Sequence, residues 1–117
     1  MKDLTHLPII EQKHLAQITN QDIHFADDIL DLLIKELPKD LSTIKQHFQH
    51  QNYTEMRRQV HRLHGALCYS GTPRLKMLVA HLESELKNNI MESLPSLLNQ
   101  LDIEVNLLLE YYCGKNS

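Results

Sequence analysis

Apolar residues recur along this chain at steps of three and four, the spacing that places side chains on one face of an α-helix. They fall into four segments, namely Ile29, Leu33, Leu37, Leu41 and Ile44; then Met56, Val60, Leu63 and Leu67; then Leu75, Leu78, Val79, Leu82 and Leu86; and finally Leu97, Leu98, Leu101, Val105 and Leu108. Four long helices with short connections predict an all-α fold, an antiparallel four-helix bundle with its core at about 21–113. A short additional N-terminal helix is predicted over 8–18, and we expect one domain over residues 1–117.

Residues that cap or interrupt helices mark the ends of these segments. Pro38 interrupts the first segment, which forms either one kinked helix over about 21–50 or two separate helices. Asn52 followed by Glu55 resembles a capping box at the start of the second helix. Gly71-Thr72-Pro73 predicts that one helix ends at the glycine and that the next begins with a threonine cap and a proline.

The last two helices have similar boundary signals. Asn88-Asn89 is predicted to end the third helix. The fourth is predicted to begin near Ser93, with Pro95 in its first turn, and to stop at Gly114.

Composition and charge exclude several classes of protein. The formal net charge of −3 lacks the basic excess of a nucleic-acid-binding protein. Apolar runs are too short to span a membrane and no signal peptide is recognisable, so we expect a cytoplasmic location without direct membrane contact. The two cysteines form no CxxC pair, which indicates free thiols in a reducing compartment. Without a P-loop or a Gly-rich nucleotide loop, the domain is expected to have no ATP site of its own.

One histidine lies on the solvent face of the second predicted helix. At about 100° per residue, His61 lies roughly 130° from the centre of the apolar stripe, and His64 lies roughly 70° from it. Gly65 lies nearly opposite the core, where a glycine costs about 0.5–1 kcal/mol relative to alanine. Packing gives no reason for that glycine, whereas close approach by another molecule does.

An exposed imidazole is suited to carrying a phosphoryl group. It is mostly neutral near pH 7, so one ring nitrogen has a lone pair that can attack phosphorus. Phosphoryl transfer depends mainly on positioning and charge stabilisation, to which a partner that brings a metal ion can contribute. Arg57, Arg58 and Arg62 flank His61 in sequence and can attract an acidic partner, and His64 can donate a hydrogen bond to a phosphoryl oxygen.

The central segment resembles the signature of a histidine-containing phosphotransfer (HPt) domain, His-x-x-Lys-Gly followed by a second, Gly-led restart. His61, Gly65 and Gly71 match this signature, and His64 stands where the family usually has Lys. This departure and the adjoining stretch 69–74 are similar to the C-terminal HPt domains of BarA/GacS-type hybrid sensor kinases. The resemblance covers the second and third predicted helices, and the flanking helices match in pattern only.

This resemblance implies a module of a two-component phosphorelay. His61 is then the acceptor, which takes a phosphoryl group from an aspartyl phosphate on a receiver domain and passes it to the receiver of a response regulator. His64 takes the supporting role of the usual Lys. Glu83 corresponds to a polar residue that orients the histidine in some members. Lys76 lies on the same side of that helix as Glu83 and Lys87, and we expect it to bind the partner together with the three arginines.

The resemblance also implies the setting of the domain. Its partners are the receiver domain of a hybrid kinase and that of a response regulator, with no nucleic acid among them. Mg²⁺ is expected in the partner receiver, and no cofactor or metal in this domain. The parent is expected to be a hybrid sensor kinase anchored in the inner membrane, and the domain is expected to act as a monomer.

Two alternatives remain open from the residues alone. A metal-binding bundle would use the pair His61 and His64, or the pair His47 and His50, with a third ligand such as His81.

The second alternative is a non-catalytic helical interaction bundle. Such a bundle would dimerise or dock a partner without chemistry. That alternative accounts for the helices but leaves Gly65 without an explanation. Separately, the apolar run Leu107-Leu108-Leu109 could overfill one core and pair with a second copy, which leaves the oligomeric state open.

Overall fold

The computed structural model describes residues 23–68 and 70–116, with side chains over 30–68 and 70–112. Its elements are four helices, α1 (Ile23–Gln49), α2 (Tyr53–Leu67), α3 (Pro73–Lys87) and α4 (Leu94–Asn116). Each helix packs against two others around a ring, α1 on α2, α2 on α3, α3 on α4 and α4 on α1. The predicted all-α, antiparallel four-helix bundle is therefore confirmed. The short helix predicted over 8–18 lies outside the described residues.

The core of the bundle is aliphatic and is formed by the predicted apolar stripes. Leu37 and Ile44 of α1, Met56 and Val60 of α2 and Val79 of α3 have no exposed surface. Burying a side chain of this kind contributes about 1.5–3 kcal/mol. Because the stripes of α2 and α3 both enter this core, the polar flanks of the two helices lie side by side at the surface.

Helix α1 continues without a break through Pro38. The alternative of two separate helices is therefore wrong. Leu37 and Leu41 are buried on either side of the proline, so packing on the core stabilises both halves as one element. Pro38 itself is exposed, which allows water to satisfy the carbonyl that its missing N–H leaves unpaired.

The expected side-chain caps are not formed, although both helices begin where predicted. Asn52 is the N-cap residue of α2, but its side chain makes no cap hydrogen bond, and its backbone (φ −91°, ψ 70°) is not extended. Glu55 accepts a hydrogen bond from Arg58 at 3.0 Å and does not reach back to Asn52. The predicted capping box is therefore not formed, because the Arg58 guanidinium one turn away binds the Glu55 carboxylate.

The turn between α2 and α3 is buried and closed by its own hydroxyl groups. Gly71 has a φ of 68°, a left-handed conformation that glycine adopts without steric cost. The Ser70 hydroxyl donates to the carbonyl of Leu67 at 3.0 Å and accepts from Thr72, so Thr72 does not cap α3 as predicted. This compact turn returns the chain so that α3 runs antiparallel to α2.

Helix α4 begins at Leu94 and extends to Asn116, beyond the stop predicted at Gly114. That predicted stop is wrong, because a glycine inside a helix costs only about 1 kcal/mol and ends the helix only where a left-handed turn follows. Within the run 107–109, Leu108 is buried and Leu109 packs against the core. None of the helices in the described part of the chain is long and apolar enough to cross a membrane.

A buried ion pair joins α3 to α4. Arg74 donates to Glu104 at 3.0 Å, and the two side chains are only 16% and 4% exposed. Such a pair is costly to break, because removing one partner leaves the other charge buried and unpaired.

Candidate functional site

His61 and Glu83 face each other across the α2–α3 interface. The Nδ1 atom of His61 lies 3.1 Å from Oε1 and 3.2 Å from Oε2 of Glu83. A carboxylate can only accept, so Nδ1 carries the hydrogen and donates it, and in the neutral ring Nε2 has the lone pair. The His61 side chain is 76% exposed while that of Glu83 is only 21% exposed. The carboxylate therefore holds the ring from below, and the ring itself remains open to solvent.

His64 lies next to the same carboxylate but less closely. Its Nδ1 atom is 3.7 Å from Oε2 of Glu83, beyond hydrogen-bonding distance, and its side chain is 29% exposed. Its half-buried position agrees with the position that the helical wheel predicts for it. Glu83 thus lies between two imidazoles, one exposed and one half-buried.

Gly65 leaves a bare stretch of backbone one turn beyond His61. A Cβ atom added at this position would meet nothing within 4 Å. No neighbouring side chain or backbone therefore requires a glycine here, and the residue weakens the helix without a compensating contact inside the domain. The open space above Gly65 gives a second molecule room to approach His61 closely.

A surface depression of 410 Å³ lies beside His61 on the side away from Gly65. The residues that line this groove, called the α2–α3 groove below, are Thr54, Arg57, Arg58, His61, Glu83 and Lys87. Arg57 precedes His61 by one turn of α2, and Lys87 follows Glu83 by one turn of α3. Because the two helices are antiparallel, these two cations lie on the same side of the His61–Glu83 pair.

The groove contains only part of the predicted set of basic residues. Arg57 and Arg58 line it, whereas Arg62 and Lys76 do not. Burial raises the pKa of the Asp40 carboxyl and Glu36 adds to this effect, while the nearby charge of Arg62 opposes it. Asp40 belongs to α1, and Arg62 is close enough to it to affect its pKa. Arg62 therefore faces α1 and not the groove.

Lys76 lies two turns before Glu83, towards the Gly71 turn. Sequence reasoning did not assign a site role to Thr54 or to Lys87. The available signal was their helical spacing, since Lys87 lies one turn beyond Glu83 and Thr54 lies two turns before His61.

The metal-binding alternative finds no ligand set in the part of the chain that the structure describes. Among the side chains described, those of 30–68 and 70–112, no three of His, Cys, Asp or Glu are grouped so that they could hold a metal ion. His81 makes a 3.0 Å contact with Glu85 on its own helix, and His50 donates from Nδ1 to the carbonyl of Gln46 at 2.8 Å.

Comparison with known proteins shows the family of this chain. Residues 28–111 match the family described as the Hpt domain. The chain belongs to the Hpt domain family. As a member of this family, the domain has a histidine phosphotransfer role in a phosphorelay.

Relatives of this Hpt domain are found among much longer proteins. Over 87 residues it is 32% identical to the signal transduction histidine-protein kinase BarA of Shigella flexneri, and equally so to BarA of Escherichia coli strain K12. The matched part is 73% of this chain but only 10% of each kinase. No solved structure matches the chain.

Proposed function

We propose that His61 is the phosphoacceptor of this Hpt domain and that its Nε2 atom forms the bond to phosphorus. The main support for this proposal is the contact of Nδ1 with the Glu83 carboxylate, whose nearer oxygen lies 3.1 Å away, while the His61 side chain is 76% exposed. This contact supports the assignment because it holds the ring in one orientation and keeps the hydrogen on Nδ1. The nucleophilic nitrogen is then the one that faces the partner.

The proposed step is a direct transfer between an aspartyl phosphate and the imidazole. The Nε2 lone pair attacks phosphorus, the P–O bond to the receiver aspartate breaks, and that electron pair returns to the aspartate as its carboxylate. The ring becomes a positively charged phosphoimidazolium that keeps its hydrogen on Nδ1, where Glu83 offsets the new charge. Reversal of the same step delivers the phosphoryl group to the receiver of a response regulator.

The other residues of the site have supporting roles in this proposal. Gly65 provides access for the receiver, and Arg57, Arg58, Arg62 and Lys76 attract its acidic surface. His64 donates a hydrogen bond to a phosphoryl oxygen, which requires its ring to turn from Glu83. Mg²⁺ is assigned to the receiver domain, and this domain contributes no cofactor.

The similarity to the BarA kinases supports a place for this domain within a larger signalling protein. We infer that the domain acts as a monomer, without direct membrane contact, as the phosphotransfer part of a hybrid sensor kinase that resembles BarA. The chain spans only 10% of the length of the BarA kinases that it matches.

The test is phosphoryl transfer from a ³²P-labelled receiver domain to the wild type, His61→Gln, His64→Gln and His81→Gln. His81 is the matched control, because it is an exposed histidine that also contacts a glutamate at 3.0 Å but lies away from the groove. We expect His61→Gln alone to abolish labelling, His64→Gln to slow it, and His81→Gln to leave it unchanged. Full labelling of His61→Gln would overturn the assignment.

A further inference from the structure

The α2–α3 groove carries more positive than negative side chains. Three of its six lining residues are cationic, and Glu83 is the only acidic one. Glu83 already faces the two imidazoles at 3.1 and 3.7 Å. The carboxylate is therefore directed at the histidines and forms no ion pair with the cations of the groove.

The three cations differ in whether they have a partner. Arg58 forms an ion pair with Glu55 at 3.0 Å. Neither Arg57 nor Lys87 forms an ion pair or a side-chain hydrogen bond with any described residue. Two unpaired cations thus flank an open depression next to the nitrogen that is proposed to carry a phosphoryl group.

Resting on the proposed function, we propose that Arg57 and Lys87 form an anion subsite that binds the phosphoryl oxygens on phosphorylated His61. Such a group carries close to two negative charges and several strong acceptor oxygens. A guanidinium can donate two parallel hydrogen bonds to it, and an ammonium adds a compact point charge. The hydroxyl of Thr54 supplies a further donor on the same wall of the groove.

This subsite takes over the charge role that the sequence signature assigns to His64. His64 does not line the groove, and it lies on the other side of His61, one turn towards Gly65. Its ring already lies near the Glu83 carboxylate and is only 29% exposed. The cations that meet the phosphoryl group therefore come from positions outside the signature, one turn before His61 on α2 and one turn after Glu83 on α3.

The test uses a small phosphodonor, so that docking of a receiver does not contribute. Wild type, Arg57→Gln, Lys87→Gln and the double variant are phosphorylated with phosphoramidate, and the ³¹P resonance of the phosphohistidine is followed with pH. We expect the phosphoryl group to titrate at higher pH in each single variant and at the highest pH in the double variant, because a nearby cation favours its dianion. Labelling should slow about two- to fivefold per cation, the range that one exposed charge pair gives.

Matched variants separate this effect from a change of overall charge. Lys35→Gln removes one charge from α1, at a residue that pairs with Asp31 and does not line the groove, and it should leave titration and rate unchanged. Arg57→Lys and Lys87→Arg keep the charge and should restore the wild-type titration. Both positions are exposed, so circular dichroism should show the same helix content in every variant.

Three results would contradict the subsite formed by Arg57 and Lys87. If His61 is labelled but the double variant titrates as the wild type does, the subsite is overturned while the proposed function stands. The subsite is also overturned if the double variant loses transfer only with a receiver, since the two cations would then bind the acidic partner and not the phosphoryl group. If the wild type takes no label on His61 from phosphoramidate or from a receiver, the subsite and the proposed function both fail.

Discussion

The Nδ1 atom of His61 lies 3.1 Å from a carboxylate oxygen of Glu83, a residue 22 positions later in the chain and on the facing helix. This contact gives the imidazole one orientation and one hydrogen position while the rest of the ring stays open to solvent. The histidine is therefore arranged before any partner arrives, which lowers the cost of reaching the transfer geometry.

Replacing the carboxylate of Glu83 should slow the transfer without changing the fold. Glu83→Gln keeps the size of the side chain but removes the charge that offsets the phosphoimidazolium. A hydrogen bond to a charged group contributes about 1.5–3 kcal/mol, so we expect the rate to fall about ten- to a hundredfold. Stopped-flow transfer from a phosphorylated receiver measures this rate.

Glu85→Gln is the matched control for that experiment. Glu85 lies on the same helix and contacts His81 at 3.0 Å, away from His61. Its removal should leave the transfer rate unchanged. Transfer at the wild-type rate in Glu83→Gln would show that the carboxylate has no part in the reaction.

Substitutions of Gly65 should separate stability from partner access. Since an added Cβ meets nothing within 4 Å, Gly65→Ala should fold and gain about 0.5–1 kcal/mol in free energy of unfolding. Gly65→Leu should also fold, but its side chain should occupy the space that a receiver needs. Urea denaturation measures the first effect, and transfer kinetics measure the second.

The choice of phosphodonor makes the result for Gly65→Leu specific. We expect it to accept a phosphoryl group from phosphoramidate at the wild-type rate and to lose transfer from a receiver. Equal rates with the receiver for Gly65→Leu and the wild type would contradict the role of Gly65 in access.

The ion pair between Arg74 and Glu104 should show strong coupling in a double-mutant cycle. Arg74→Met and Glu104→Leu should each destabilise the bundle by about 3–5 kcal/mol, because each leaves one charge buried and unpaired. The Nε atom of Arg74 is also buried without a hydrogen-bond partner among the described residues, so an apolar replacement loses little there. The double variant should be within about 1 kcal/mol of the wild type.

Chemical denaturation of the four proteins measures this coupling. Single and double variants whose losses in free energy of unfolding simply add would contradict it. Such additivity would mean that neither charge depends on the other for its stability in the interior.

The ionisation of Asp40 should make the fold less stable as pH rises. Burial raises the pKa of this carboxyl above 3.8, and Glu36 adds to the effect, so the folded state holds the proton more tightly than the unfolded state. The stability that this proton contributes is present below pH 3.8 and is lost as pH rises through the folded-state pKa. Asp40→Asn keeps an oxygen that can accept from Gln59 and removes the charge.

We therefore expect Asp40→Asn to be more stable than the wild type at pH 7 and equally stable near pH 3. Urea denaturation at several pH values measures the difference between the two proteins. A difference that grows towards low pH would mean that the sign of the effect is opposite.

The amino-acid sequence by itself determined the helices and the residues that they bury. The four apolar stripes predicted the core, and the same periodicity placed His61 on the solvent face and His64 on the flank. These features depend on residues three or four positions apart, so local geometry is enough to obtain them. The glycine at position 65 could be singled out in the same way, because its cost in a helix is a local property.

Only the tertiary structure decided which side chains meet across helices. The family resemblance named Glu83 as the residue that orients His61, but the contact itself, and the placement of Lys87 and Arg57 in one groove, depend on the register of α2 against α3. That register is set by the buried turn at Gly71 and by packing of α2 on α1 and of α3 on α4, and no short-range pattern specifies it.

The continuity of α1 through Pro38 has the same origin, since buried leucines on either side outweigh a local helix breaker. The side-chain caps failed for a local reason instead, because Glu55 binds Arg58 and Thr72 binds Ser70 rather than the backbone of the helix.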